Sequence, residues 1–161
     1  MSVYAETKVA AEQVVLANPR HAVLRLSLNF GKSPTTDRAF NEMLRNDLAA
    51  GKNFSLFTDE FRCPTAALVT ARATWELLHQ HAAGLFHLCG ADKLSRWEIA
   101  SLLLPHWPAL PGKVQPDTVK NYQGPPRPQN SSMNCAKVQP LLSFRLPGMA
   151  EALAAHPEEV A

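Results

Sequence analysis

The sequence has no long apolar run and no marked excess of either charge. No hydrophobic stretch approaches the ~20 residues that a membrane-spanning helix needs, and the first residues lack the pattern of a secretory signal. The 16 basic and 14 acidic residues are interspersed along 161 residues, and the net charge is +2. This composition predicts a single globular unit over residues 1–161, with neither nucleic acid nor a membrane as a partner.

Cysteine is scarce, and none of the histidines belongs to a metal-binding pattern. Cys63, Cys89 and Cys135 lie far apart in the sequence and show no paired spacing typical of zinc or redox motifs. We expect each cysteine to behave as a small buried hydrophobe in a reducing cytoplasm. Because no histidine pair is accompanied by a carboxylate or a cysteine at ligand spacing, no metal site is predicted.

Helical and strand-like patterns alternate along the chain, which predicts an α/β fold. The Ser95 and Glu98 pair forms a capping box ahead of an apolar run and predicts a helix start. Trp75 and Trp97 fall on apolar helical faces and are expected in the core. Most of the 13 prolines follow Leu104, so ordered loops are predicted there. Helices are predicted over 4–17, 36–50, 64–80, from 95 onward and over 147–155. A buried strand is predicted over 22–30, a second strand over 84–90 and a brief strand over 55–57.

A tyrosine and a lysine stand one helical turn apart in the first predicted helix. Tyr4 and Lys8 are separated by four positions, so they share a face of that helix. An ammonium group near a phenol favours the phenolate and lowers the tyrosine pKa from its usual value of ~10. Such a tyrosine is a candidate general acid that protonates an oxygen as hydride reaches the neighbouring carbon. The spacing alone also occurs on ordinary helix surfaces, and it leaves both interpretations open.

Five segments carry a resemblance to a known family. They are, in order, YAETKVAAEQ, VLRLSLNFG, LFTDEFRCPT, GLFHLCGADKLSRWEIA and PPRPQNSSMNCAKV. From Tyr4 to about Leu153 the chain resembles the C-terminal half of extended short-chain dehydrogenases/reductases, in particular their dTDP-4-dehydrorhamnose reductase type. The resemblance implies a Rossmann-like fold with a small substrate-binding lobe, and it implies that the N-terminal dinucleotide-binding half is absent. The implied division assigns 1–35 and 64–90 to the Rossmann-like part, and 36–63 and 91–161 to the substrate-binding lobe.

The resemblance also implies roles for individual residues. In this family a tyrosine donates a proton to the C4 oxygen of the sugar, and a lysine holds the nicotinamide ribose. Tyr4 and Lys8 occupy these two places, and Ser27 is implied on the cofactor side of the site.

Four further residues are implied on the substrate side. Leu28 and Asn29 correspond to the segment that borders the sugar, and Arg62 and Arg127 to positions in or near the sugar-nucleotide pocket. A guanidinium suits a pyrophosphate because it can make two charge-assisted hydrogen bonds. For both arginines, a role in anchoring a surface loop remains an alternative.

The glycine-rich turn of such a dehydrogenase is missing from the sequence. None of the seven glycines forms the G-x-G-x-x-G pattern that brings a helix N-terminus to the pyrophosphate of a dinucleotide. The implied cofactor, NADPH or NADH, therefore needs the missing half. We expect a fragment, a shortened gene product, or a chain that needs a companion. Exposed sheet edges and helix faces also predict self-association.

The implied function is NAD(P)-dependent reduction of a 4-keto sugar nucleotide, by a chain that is inactive alone. Two alternatives remain open at this point. One is a non-catalytic subunit that binds a sugar nucleotide or has a regulatory role, similar to the regulatory subunit of methionine adenosyltransferase. The other is a remnant domain that folds but binds nothing tightly.

Overall fold

Helices and strands alternate along the chain in the predicted order. The computed structural model describes residues 3–125 and 127–160. The helices in this part of the chain are α1 (Val3–Leu16), α2 (Phe40–Ala49), α3 (Ala67–His79), α4 (Arg96–Leu103) and α5 (Met149–Ala155). The strands are β1 (Ala22–Leu26), β2 (Asn29–Phe30), β3 (Phe54–Phe57), β4 (Phe61–Arg62), β5 (Thr65–Ala66), β6 (Gly84–Leu88), β7 (Leu94–Ser95) and β8 (Val114–Asp117).

The strands pair two by two, and most pairs are parallel. β1 runs parallel to β6, with Ala22 opposite Gly84, and β3 runs parallel to β8, with Phe54 opposite Val114. The short strands β2 and β5 are also parallel, whereas β4 and β7 are antiparallel. Parallel pairing requires a crossover connection, so each parallel pair joins segments that are far apart in the sequence.

Two clusters of buried side chains hold these elements together. The larger one unites α2, α4 and α5, and it also contains Phe30 and Ala66. The smaller one lies between α3 and β6, and it includes Val138 and Leu146 from the C-terminal loops. Each cluster thus combines residues from both parts of the division proposed above, whose boundaries remain a prediction.

The predicted buried strand over residues 22–30 is wrong in its continuity and in its burial. The chain forms β1, leaves the strand conformation at residues 27 and 28, and resumes as β2. In β1 only Val23 and Leu24 are half-buried, while Arg25 and Leu26 are exposed. The physical reason is that β1 pairs with β6 alone among the described strands, so its flank and part of its face meet solvent.

Apolar residues of α1 and α3 lie on the surface, among them one that was expected in the core. The predicted helix over 4–17 is confirmed as α1, but none of its residues is buried, and Val14 is 76% exposed. Trp75, expected in the core, is 61% exposed, whereas Trp97 is half-buried. Within the described residues, no element covers these faces of α1 and α3.

The region after Leu104 is mostly irregular, as the prolines predict, with short 3-10 turns and the predicted final helix, α5. The predicted capping box is confirmed: the backbone N–H of Glu98 donates to Ser95 Oγ at 3.2 Å, and that of Ser95 donates to Glu98 Oε2 at 2.7 Å. The strand β8 was not predicted, because it contains Pro116 and a proline argues against a strand. No helix in the described part of the chain has the length and apolar character to cross a bilayer.

The three cysteines converge in space despite their separation in sequence. Cys63 and Cys89 are buried, as expected, but Cys135 is only half-buried. The Sγ atoms of Cys89 and Cys135 lie 3.2 Å apart, and all three cysteines are free thiols. The spacing in the sequence does not predict this contact, because β6 and the loop after residue 130 come together only in the folded chain.

Candidate active site

Tyr4 and Lys8 stand on the first turns of α1 and face the same way. Lys8 Nζ lies 5.5 Å from the centroid of the Tyr4 ring, and the Thr7 hydroxyl donates to the Tyr4 carbonyl at 2.9 Å. Tyr4 is 70% exposed, and Lys8 is exposed as well. The ammonium and the phenol thus form a neighbouring pair that is accessible to a ligand.

The pair lines a cleft of about 1050 Å³ between α1, the end of β1 and the loop after residue 130. This volume is at the upper end of what ligand-binding pockets in proteins occupy. Of the seven residues selected from the sequence, five line the cleft: Tyr4, Lys8, Ser27, Leu28 and Arg62.

A bidentate ion pair holds α1 against β1 inside the cleft. Arg25 donates from Nε to Glu12 Oε1 at 2.8 Å and from Nη2 to Glu12 Oε2 at 2.6 Å. The hydrogen bonds from Arg25 lower the pKa of the Glu12 carboxyl against the opposing effect of burial, and the positive charges of Arg25 and His87 lower it further. Because α1 buries none of its own side chains, this pair is a principal contact that positions the helix carrying Tyr4 and Lys8.

The break between β1 and β2 presents residues 27 and 28 to the cleft. Ser27 Oγ accepts a hydrogen bond from the backbone N–H of Cys63 at 3.2 Å, and the Leu28 carbonyl accepts one from Thr65 N at 2.9 Å. Asn29 differs from its two neighbours, since its Oδ1 accepts a hydrogen bond from the Thr70 hydroxyl of α3 at 3.1 Å. The structure thus brings Ser27 and Leu28 to the cleft and ties the Asn29 side chain to α3.

Three arginines surround one buried carboxylate at the edge of the cleft. Glu60 is 1% exposed; its Oε1 contacts Arg62 and lies 3.1 Å from Arg127 Nη2, and its Oε2 lies 3.7 Å from Arg96 Nε. The group carries three positive charges and one negative charge. Burial lowers the pKa of the Arg96 guanidinium; Arg62 and Arg127 lower it further, while Glu60 opposes them. This excess of positive charge suits an anionic ligand.

The members of this group differ in how they meet the cleft. Arg62 and Arg96 line it, and Arg62 Nη1 also donates to the carbonyls of Phe61 at 2.7 Å and Pro128 at 3.3 Å. Arg127 is more exposed, and its guanidinium lies over the Tyr122 ring, 5.4 Å from the centroid. Both arginines selected from the sequence therefore combine a structural contact with proximity to the cleft.

The sequence does not single out Arg96 or Glu60. Arg96 directly follows the capping residue Ser95 and looks like an ordinary first-turn residue of α4. The antiparallel pairing of β4 with β7, with Arg62 opposite Leu94, brings it to Glu60. No local spacing reveals this contact. A signal does exist, because both residues lie inside segments that carried the family resemblance.

Metal binding has no visible basis in the part of the chain that the structure describes. Across residues 3–125 and 127–160, no three His, Cys, Asp or Glu side chains are arranged to hold a metal ion. The side chains that line the cleft offer a phenol, an ammonium, guanidiniums, hydroxyl groups, the carboxylate of Glu12 and the imidazole of His87.

Comparisons with known proteins identify the relatives of this chain. The dTDP-4-dehydrorhamnose reductase of Sinorhizobium fredii is 29% identical over 164 residues, covering 94% of this chain and 54% of the relative. The methionine adenosyltransferase 2 subunit beta of Rattus norvegicus is 24% identical over 148 residues, covering 88% and 44%. The chain thus spans about half the length of the curated relatives it matches.

The fold agrees with solved structures of the same class. A crystal structure of dTDP-4-dehydrorhamnose reductase from Bacillus anthracis in complex with NADP matches with a TM-score of 0.83 at 20% identity, covering 98% of this chain and 56% of that one. The expected α/β fold, corresponding to part of an extended short-chain dehydrogenase, is confirmed. The family model described as the RmlD substrate binding domain matches residues 1–161. The chain therefore belongs to the RmlD substrate binding domain family.

Proposed function

We propose that this chain supplies the proton donor and the substrate-binding part of an NAD(P)-dependent reductase of 4-keto sugar nucleotides. One observation carries the proposal: Tyr4, Lys8 and Arg62 line a single cleft of about 1050 Å³. A proton donor, a cationic partner and an anion-binding group are the parts that carbonyl reduction on a nucleotide-linked sugar needs.

Tyr4 acts on the carbonyl oxygen of the substrate in this proposal. Its hydroxyl donates a proton to that oxygen, and Lys8 holds a ribose hydroxyl of the nicotinamide nucleotide beside it. A bound nicotinamide, from NADPH or NADH, supplies the hydride. Ser27 lines the same cleft. These residues fit the nicotinamide ribose, whereas the glycine-rich turn that would hold the pyrophosphate does not occur in the sequence.

The arginine cluster binds the diphosphate of the sugar nucleotide in this proposal. Arg62 and Arg127 both contact Glu60 Oε1, and with Arg96 they carry charge beyond what that carboxylate neutralises. Leu28 provides an apolar wall. Asn29 is kept as a substrate-side residue on the family resemblance alone, because its side chain hydrogen-bonds to Thr70.

Catalysis requires a dinucleotide-binding half, so we propose that these 161 residues are inactive alone. The half could belong to the same polypeptide or to a companion chain. We further propose a cytoplasmic location, because a reducing compartment keeps the three cysteines as free thiols.

Calorimetric titration of the chain with a dTDP-sugar and with NADPH tests the binding part of the proposal. We expect the sugar nucleotide to bind and NADPH not to bind. Arg62→Ala should weaken sugar-nucleotide binding, and Arg20→Ala, which removes an arginine remote from the cluster, is the matched control. Failure of any nucleotide sugar to bind the folded chain would contradict the proposal.

Replacing Tyr4 with phenylalanine tests the proton donor. In a form of the protein that carries the dinucleotide-binding half, Tyr4→Phe should lower kcat by about 100- to 10,000-fold, since one general acid contributes that much. Binding of the sugar nucleotide should be nearly unchanged. Tyr122→Phe removes the hydroxyl of the chain's other tyrosine, and as the matched control it should retain turnover. Normal turnover in Tyr4→Phe would show that another group donates the proton.

A non-catalytic function is the second candidate. It is favoured by the similarity to the methionine adenosyltransferase 2 subunit beta over 88% of the chain. Under this alternative the cleft binds a sugar nucleotide, and Tyr4→Phe has no chemical step to affect. Absence of carbonyl reduction by the protein with a dinucleotide-binding half, combined with retained binding, would select this function.

A further inference from the structure

Two thiols meet directly beyond the carboxyl end of β6, beside the cleft but outside it. Cys89 Sγ lies 3.2 Å from Cys135 Sγ, and the backbone N–H of Cys89 donates to the same Cys135 Sγ at 3.2 Å. Cys89 Sγ also lies 3.6 Å from the carbonyl oxygen of Met133. Two separate segments thus hold the sulfur atoms in contact.

Tight backbone packing fixes the Cys89 side of this contact. A Cβ at Gly90 would come within 2.0 Å of the Pro64 carbonyl oxygen, so only glycine permits this approach. The Gly90 N–H donates to Thr65 Oγ1 at 2.7 Å. Cys89 is therefore held on a rigid turn. If the two sulfurs move closer together, the loop that carries Cys135 must move.

Only one of the two thiols is accessible. Cys89 is 1% exposed, whereas Cys135 is half-buried. A cavity of about 410 Å³ borders both sulfurs and is also lined by Asn134, Gln139 and Arg145. A small oxidant can enter this cavity and reach Cys135 first.

The local hydrogen bonds distinguish the two thiols chemically. The hydrogen bond from the Cys89 side chain lowers the pKa of Cys135 to about 7, against the effect of burial, and the Cys89 backbone hydrogen bond lowers it further. The interaction with Cys135 raises the pKa of Cys89, and burial and the nearby Cys63 raise it further. Cys135 is thus the better nucleophile, because the thiolate is the reactive form.

We propose that Cys135 and Cys89 are a redox-active pair that reacts with hydrogen peroxide to form a reversible intramolecular disulfide. The Cys135 thiolate attacks one peroxide oxygen and the O–O bond breaks. The released hydroxide takes up a proton to become water, and Cys135 becomes a sulfenic acid. Cys89 then attacks this sulfur, the S–O bond breaks, and a second water leaves with the Cys89 proton. The two thiols lose two electrons in total, and a dithiol reductant restores them by exchange.

The disulfide would connect two walls of the cleft. His87 lies two positions before Cys89, and Met133 two positions before Cys135, and both line the cleft. A disulfide bond is shorter than the present contact between the sulfurs, so oxidation draws the loop at residues 131–135 towards the end of β6. An effect on sugar-nucleotide binding rests on the proposed function, whereas disulfide formation does not depend on it.

Thiol counting and peptide mapping test the proposal on the purified chain. After treatment with stoichiometric hydrogen peroxide, the total number of free thiols, measured in denaturant, should fall from three per chain to one. Each cysteine lies in a separate tryptic peptide, namely 63–72, 73–93 and 121–137. The linked product should join 73–93 to 121–137 and should disappear on addition of dithiothreitol.

Variants at the three cysteines separate the roles. Cys63→Ser is the matched control and should form the same linked product. Cys135→Ser should form none, and Cys89→Ala should stop at a sulfenic acid on Cys135 that dimedone labels. Three retained thiols, a linkage that includes 63–72, or a disulfide between two chains would each overturn the proposal. Mapping of the unaltered chain decides the matter even if a variant fails to fold.

Discussion

At the scale of single residues, Glu60 is a buried carboxylate surrounded by arginines. Its carboxylate is buried to 1% exposure and contacts the guanidiniums of Arg62, Arg96 and Arg127. A buried charge is tolerated only when it is paired. Glu60 therefore holds three arginines from separate segments in one place, and the proposed binding of the diphosphate depends on it.

Glu60→Gln should lower the free energy of unfolding by about 3 kcal/mol, because removing one member of a buried ionic group leaves the others uncompensated. Urea denaturation followed by circular dichroism measures this change. Glu151→Gln is the matched control: it removes a carboxylate from an exposed pair with Arg145 and should cost less than about 1 kcal/mol. Equal stabilities of the two variants would mean that the arginines do not rely on Glu60.

Individual residues were predictable from the sequence where their contacts are local. The spacing of Tyr4 and Lys8 predicted a shared helical face, and the two side chains do lie on one face. The same reasoning could not find Arg96, because its contact with Glu60 spans two strands that are distant in the sequence. Nor could it find the contact between Cys89 and Cys135, which are 46 positions apart in the sequence.

At the scale of elements, α1 depends on few contacts for its position. None of its side chains is buried, and its ion pair from Glu12 to Arg25 reaches β1. A helix held in this way can leave the sheet without disturbing either buried cluster. The placement of Tyr4 and Lys8 therefore depends on a polar contact at the other end of the same helix.

Arg25→Ala should accelerate amide hydrogen exchange across α1 while leaving α4 unchanged, because local opening no longer breaks an ion pair. Arg72→Ala, which removes an exposed i to i+4 pair on α3, is the matched control and should not alter α1. Mass spectrometry of the exchanged peptides measures both. Unchanged exchange in Arg25→Ala would show that apolar contacts suffice to hold the helix.

Lowering the pH should accelerate hydrogen exchange of α1, as Arg25→Ala does. The folded pKa of Glu12 is lower than its unfolded value, so its contribution is fully present above the unfolded pKa. The contribution is lost as the pH falls through the folded pKa. We expect α1 exchange, corrected for its intrinsic pH dependence, to rise in that acidic range. Arg25→Ala, which has no pair to lose, provides the baseline.

Helices and loops were predictable from the sequence where a local pattern determines them. The capping box at Ser95 predicted the start of α4, and proline density predicted the loops after Leu104. The break between β1 and β2 was missed because pairing with distant segments decides it, and β8 was missed because it contains Pro116. The exposure of α1 could not be predicted, because periodicity shows which face is apolar but not whether another element covers it.

At the scale of the whole molecule, α1 and α3 both expose apolar side chains, which together are called the apolar surface. Its members are Val3, Val14, Val15, Leu68, Trp75 and Leu78. Between the two helices lies a cavity of about 660 Å³. Exposed apolar surface of this extent is typical of an interface. The chain also spans only about half the length of its curated relatives.

We expect the chain to associate with itself through this surface, with an apparent mass that rises with concentration in light scattering. Trp75→Lys should reduce the association, because it places a charge at the centre of the apolar surface. Met43→Lys changes an exposed apolar residue on α2 and is the matched control. A concentration-independent monomer would contradict the expectation, and equal association of the two variants would place the interface elsewhere.

The pairing of β1 with β6 and of β3 with β8 has a consequence for how the protein reaches its structure. During synthesis, Ala22 can pair only after Gly84 has been added to the chain, and Phe54 only after Val114. Contacts of such high sequence separation slow the search for the native state, because a large loop must close before they form. During synthesis the early strands therefore leave the ribosome without partners, and completion of the fold must follow release of most of the polypeptide.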